Sequence, residues 1–98
     1  MFLDDIYTVL QKENETVYVA FCDETHPVFQ AHFPCNPILP GFVHLEIITV
    51  VFNLEINKIK RAKFLDAVLP SQHIKYVKSH NKYTVLRDGN LVASFILE

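Results

Sequence analysis

Apolar and polar positions divide the chain into two short strand-like runs, one long apolar segment and a further series of strand-like runs. Asp5 to Gln11 and Thr16 to Cys22 are rich in β-branched and aromatic residues and flank the polar Lys12-Glu13-Asn14-Glu15, which predicts a hairpin. From Pro40 to Ile56 the pattern is apolar almost throughout, and Val43, Ile47, Ile48, Thr49, Val50, Val51 and Ile56 all favour strands by propensity. Length decides against a strand, because the segment runs seventeen residues where strands span roughly three to ten. On a helical period of about 3.6 residues, Glu46, Thr49 and Asn53 share one narrow stripe, with His44 and Glu55 on the opposite side. The segment is therefore predicted to be a helix hydrophobic nearly all round, which belongs in the centre of a fold. Ile59 to Leu69, His73 to Ser79, Tyr83 to Arg87 and Leu91 to Leu97 read as strands. Pro70-Ser71 and Asp88-Gly89-Asn90 supply turns, and Asp88-Gly89 between Leu86 and Leu91 is a hairpin signal. Antiparallel strands around one buried helix predict a single α+β domain over residues 1–98.

Composition narrows the class. Ninety-eight residues hide only about 60–65% of the unfolded surface in an isolated domain, which favours self-association. Half of the residues are hydrophobic and two are Gly, which excludes disorder and low complexity. The start, Met1-Phe2-Leu3-Asp4-Asp5, has no basic stretch and meets two acids before any apolar run, unlike a signal peptide. His44, Glu46, Thr49 and Asn53 interrupt the long apolar segment, so no membrane span is expected. These features predict a cytoplasmic protein. Cys22 and Cys35, thirteen residues apart, match neither the close pairs of zinc sites nor a disulfide framework, and are read as reduced thiols. His44 and Glu46, two apart on a helix, point in different directions, so no metal site is expected there.

Charge is divided along the chain. Residues 1–57 carry a net −7 and residues 58–98 a net +5, which the overall −2 conceals. Lys58, Lys60, Arg61 and Lys63 fall within six positions, a cluster that attracts an anionic partner. The chain is mildly acidic overall and carries no nucleic-acid-binding motif, so nucleic acid is not the expected partner.

The candidate chemistry lies between Ala31 and Glu46. Pro34, Pro37 and Pro40 occupy three of seven positions, fix φ, and bias their preceding residues to extended conformations, so a rigid irregular loop is expected. Pro40-Gly41 fits a helix start, where a missing amide costs nothing and glycine allows close approach to the backbone. His32 enters the loop with a side chain that titrates near neutrality and suits a general base. Glu46 is a lone carboxyl on an otherwise apolar helix, where burial would raise its pKa and keep it protonated as a general acid. The Gly41 amide at the helix N-terminus suits the polarisation of a carbonyl oxygen. His26, His44, His73 and His80 are read as structural or exposed.

The run His32-Phe33-Pro34-x-x-Pro37-x-x-Pro40-Gly41, with Glu46 fourteen residues after the His, resembles the 3-hydroxyacyl-acyl carrier protein dehydratases of the FabZ/FabA type. Glu24 to Ala31 and Ala62 to Pro70 resemble the family's flanking segments, so the likeness covers roughly residues 17–97. The resemblance implies a hotdog fold, a long central helix wrapped by a curved antiparallel sheet. It also implies dehydration of a 3-hydroxyacyl thioester to the trans-2-enoyl product, in fatty acid or related acyl-chain synthesis and without a cofactor. His32 would be the base, Glu46 the acid and Gly41 the donor to the thioester oxygen, with Phe33 and Pro40 beside the substrate. The acidic acyl carrier protein, or a coenzyme A thioester, would bring the substrate, with Lys58, Lys60, Arg61 and Lys63 as the docking cations. The active sites would be shared across a homodimer. Cys35 stands where the family has Gly, Ile47-Ile48-Thr49-Val50 where it has small residues and a Gln, and Pro70-Ser71-Gln72 where it has Pro-Gly-Asp. The family's N-terminal Pro-His-Arg segment has no counterpart. The alternatives on the same residues are a hotdog thioesterase, in which the carboxylate activates water, and a non-catalytic acyl-thioester binding protein.

Overall fold

The computed structural model describes residues 5–30 and 37–98, so the expectations placed on His32, Phe33 and Cys35 lie outside the described residues. The elements are β1 (Tyr7–Lys12), β2 (Thr16–Phe21), α1 (Pro27–Gln30), α2 (Phe42–Val51), β3 (Ile59–Phe64), β4 (His73–Ser79), β5 (Lys82–Arg87) and β6 (Asn90–Leu97). All six strands form one antiparallel sheet in the order β1-β2-β4-β5-β6-β3. The chain leaves β2, crosses the sheet through α2, and returns at the far edge as β3. The expected α+β arrangement of one helix on an antiparallel sheet is therefore present.

Period-two alternation places one face of the sheet in the core. Val17 pairs with Tyr76, Tyr76 with Val85 and Val85 with Ala93, making a row of fully buried side chains across four strands. On this face α2 lays Val43, His44, Ile47, Ile48 and Val51. Burial of each aliphatic side chain among these contributes about 1.5–3 kcal/mol. The rings of His44 and Tyr76 lie 5.8 Å apart, and those of Phe52 and Tyr83 5.7 Å apart.

Three boundaries correct the sequence reading. The helix ends at Val51 rather than Ile56, because Asn53 takes a left-handed backbone (φ 53°). Its amide donates to Val50 O at 3.3 Å, and the Leu54 amide donates to Thr49 O at 2.9 Å. This Schellman closure uses asparagine's tolerance of the left-handed region to stop a run whose apolar pattern continues. The third strand ends at Phe64 rather than Leu69, where the Leu65 and Asp66 amides both turn to Val92 O. Pro27–Gln30, to which the sequence pattern assigned no element, forms a short helix, with the Val28 amide donating to His26 Nδ1 at 2.9 Å. The Asp88-Gly89 hairpin is present, with φ of 52° and 81°, between the paired residues Arg87 and Asn90.

Candidate active site

Pro37 to Pro40 bring the chain into α2, and Gly41 is its N-cap, with φ −58° and ψ −34°. Amides in a first turn have no intrahelical partner, so the glycine amide sits at a positive helix end. A Cβ at Gly41 would stand 2.7 Å from Phe64 Cε1, so the absence of a side chain is what lets the Phe64 ring lie on this turn. Phe64 in turn meets Phe95 edge-on, with centroids 5.5 Å apart.

Between the N-terminal half of α2 and the 62–68 segment lies an open, mostly apolar cavity of about 660 Å³, lined by Leu39, Gly41, His44, Phe64, Asp66 and Val68 among others. The Leu39 amide donates to Val68 O at 2.8 Å and ties the two walls together at one end. Its lining is mainly apolar, with His44 and Asp66 as the polar side chains among the lining residues.

Among the described residues, His44 is the buried polar one, 3% exposed. Its Nδ1 shares a hydrogen bond with Tyr76 Oη at 2.8 Å. Burial lowers the imidazole pKa to about 4, so it is neutral at pH 7. Burial also raises the Tyr76 hydroxyl well above the ordinary tyrosine value, with Tyr7 adding to the shift. Tyr76 is therefore protonated.

Glu46 corrects the sequence reading. The helix is not apolar all round in one chain: Phe42, Glu46 and Val50, four residues apart, form an exposed stripe turned away from the sheet. Glu46 is thus not desolvated by its own chain, and it is absent from the lining of the cavity that holds Gly41. Thr49 turns inward to its own helix, donating to Glu46 O at 2.7 Å. The structure brings Gly41, Phe64 and the cavity together, and places Glu46 on the adjoining open face. Pro40 is half-buried at the head of the helix, where its carbonyl accepts from the Val43 amide at 3.1 Å.

Lys60, Arg61 and Lys63 lie on β3, which is exposed along its whole length at the edge of the sheet, and Lys58 precedes it. The four cations are not equivalent, because Lys60 Nζ pairs with Glu98 at 3.4 Å. Ala62 and Phe64 of the same strand face the cavity, so the basic edge borders its mouth.

Asp66, Tyr76 and Arg87 are features of this region that the sequence reading did not single out, and His44, read there as structural or exposed, is buried. Asp66 accepts from the Ala67 amide at 2.8 Å and pairs with Arg87. The amide first, and then the guanidinium, hold its carboxyl below the usual range. No sequence signal joins residues twenty-one apart on a strand end and a loop. Cys22 is a free, half-buried thiol whose pKa burial pushes up. Among the described residues, no cluster of His, Cys, Asp or Glu is placed to hold a metal ion, and no helix is long and apolar enough to cross a membrane.

The family model described as ApeI-like, ApeI dehydratase, matches residues 8–91. The dehydratase heterocomplex ApeI:P from Xenorhabdus doucetiae contains a similar chain, with TM-score 0.72, 16% identity, and 98% of this chain and 97% of that one covered. An uncharacterized protein from Erwinia carotovora subsp. atroseptica is similar at TM-score 0.56 and 20% identity, over 95% of this chain and 90% of that one. At these identities the structural likeness shows the fold. A search of curated proteins found no match.

Proposed function

The chain belongs to the ApeI-like dehydratase family, and from that premise we propose that it removes water from 3-hydroxyacyl thioesters carried on an acyl carrier protein. The observation that carries this reading is the cavity at the start of α2. Gly41, the motif residue suited to hold a thioester oxygen, lines an apolar space able to take the acyl chain. In the proposed reaction His32 takes a proton from C2, and the Gly41 amide donates to the thioester oxygen as negative charge gathers there. Glu46 gives its proton to the C3 hydroxyl, which leaves as water. The double bond forms between C2 and C3, and no cofactor takes part.

Glu46 is exposed in one chain, and on this reading a second chain covers it and supplies the desolvation that a carboxylic acid needs near neutrality. The exposed apolar residues Phe42 and Val50 on its stripe and Phe64 against Gly41, together with the open edge of β3, support such a partner. We take the fold to be of the hotdog type and the partner to be a second copy, with His32 of one chain facing Glu46 of the other. The similar chain from Xenorhabdus doucetiae belongs to a heterocomplex. A different chain is therefore the second reading of the partner. The sizing of the purified protein, alone and with such a chain, separates the two.

Product analysis tests the reaction. Incubation with a 3-hydroxyacyl thioester should give enoyl absorbance without release of free thiol. Free thiol would mean a thioesterase, and binding without either product would mean a non-catalytic binding protein.

A further inference from the structure

We infer that Arg87 is a positioning residue for the proposed reaction, holding the two walls of the cavity at a fixed spacing although it does not line the cavity itself. The inference rests on the dehydratase reading for its kinetic consequence and on geometry for the rest. Arg87 ends β5 with its side chain only 21% exposed. Its Nη1 donates to Ala67 O at 2.7 Å and to Gln72 Oε1 at 3.2 Å, and its Nη2 donates to Asp66 Oδ2. Gln72 Oε1 also accepts from the Leu69 amide at 2.9 Å. One planar guanidinium therefore grips both ends of the 66–72 turn, a geometry that a lysine ammonium, a point charge on a flexible stem, does not reproduce.

The middle of that turn is Val68, which is buried and accepts from the Leu39 amide at 2.8 Å. Leu39 lies two residues before Gly41, so the path from Arg87 to the helix N-terminus is a short series of hydrogen bonds. The ends of the turn have anchors of their own. Leu65 and Asp66 donate to Val92 O, Ser71 donates to Cys22 O at 2.9 Å, and Phe21 donates to Gln72 O at 3.0 Å. Loss of Arg87 would therefore leave the turn attached to the sheet while freeing Ala67 to Leu69. The wall would loosen without the fold being lost.

The test compares the wild-type chain with Arg87→Gln and Arg87→Lys by amide hydrogen exchange and by kinetics on short and long 3-hydroxyacyl thioesters. Arg87→Gln should raise exchange at the Leu39 amide by ~10-fold or more, while the Val19 and Phe95 amides in the sheet stay within about 2-fold. It should also lower kcat/KM by ~10-fold and change the ratio between long and short substrates, since misplacement by an ångström is enough to cost that much. Arg87→Lys should restore thermal stability but not that ratio. Unchanged exchange at Leu39, or equal increases at Leu39 and in the sheet, would overturn the inference. Should Arg87→Gln not fold, Gln72→Ala removes one acceptor and carries the same exchange test at smaller amplitude. A wild-type chain that dehydrates nothing would sink the dehydratase reading, while the Leu39 measurement would still decide the clamp.

Discussion

Replacing His44 with Gln should make the fold less sensitive to pH between 7 and 5. The unfolded imidazole has a pKa of 6.5 and the folded one about 4, so below the unfolded value the unfolded chain binds a proton that the folded chain refuses. The stabilisation from a neutral, buried His44 is thus complete above the unfolded pKa and is lost as pH falls toward the folded pKa. The whole difference corresponds to ~3 kcal/mol, of which ~2 kcal/mol is lost by pH 5. Against a total stability of about 5–15 kcal/mol, this is a large share.

Glutamine has similar length, does not titrate, and can still bond the Tyr76 hydroxyl, whose partner in the wild type lies 2.8 Å away. Asp23 and Asp66, whose pKa values are lowered by hydrogen bonds, also make the fold acid-sensitive, but below the ordinary carboxylate range and equally in both proteins. Urea unfolding of the two proteins at pH 7, 6 and 5 measures the difference directly. The wild type should lose ~2 kcal/mol more than His44→Gln across that span. Parallel profiles would refute the burial argument.

Three further outcomes follow from the site. Gly41→Ala should displace the Phe64 ring, which a Cβ would meet at 2.7 Å, at a stability cost under about 1 kcal/mol because the ring is half-exposed; crystallography of the variant and its melting temperature check both points. Reversing the charge of Arg61 and Lys63 should raise KM for carrier-linked substrate, steeply at low salt, and leave a short uncharged thioester analogue nearly untouched. Equal effects on both substrates would remove the docking role. Mixed dimers of His32→Ala and Glu46→Gln chains should recover activity that each parent dimer lacks, because one of their two sites receives both intact residues; no recovery despite subunit mixing would refute a shared site.

The strands were legible because their alternation is a backbone property: His73 to Ser79 needed no revision, and the Asp88-Gly89 turn follows from two residues that tolerate positive φ. The centre of the helix was legible from length and period against the propensity of its valines and isoleucines. Its end was not, because Asn53 stops it through a backbone conformation while the hydrophobic pattern runs on to Ile56. Pro40-Gly41 marked the start of the helix, and the apolar run around Glu46 made that residue look enclosed. A helix with one open face and a helix enclosed all round can carry the same apolar run, and Glu46 lies on the exposed stripe with Phe42 and Val50. The Arg87 clamp was invisible for a different reason, since it joins a strand end to a loop without a local signature.

Running the reaction in reverse in deuterium oxide tests the proposed dehydration most directly. The protein is incubated with a trans-2-enoyl thioester on its carrier, and the product is read by mass spectrometry beside His32→Ala and Glu46→Gln. The wild type should form a 3-hydroxyacyl thioester carrying one solvent deuterium at C2, and each variant should form it ~10²-fold or more slowly. Free thiol with no hydrated product, or hydration that both substitutions leave intact, would contradict the proposed dehydration.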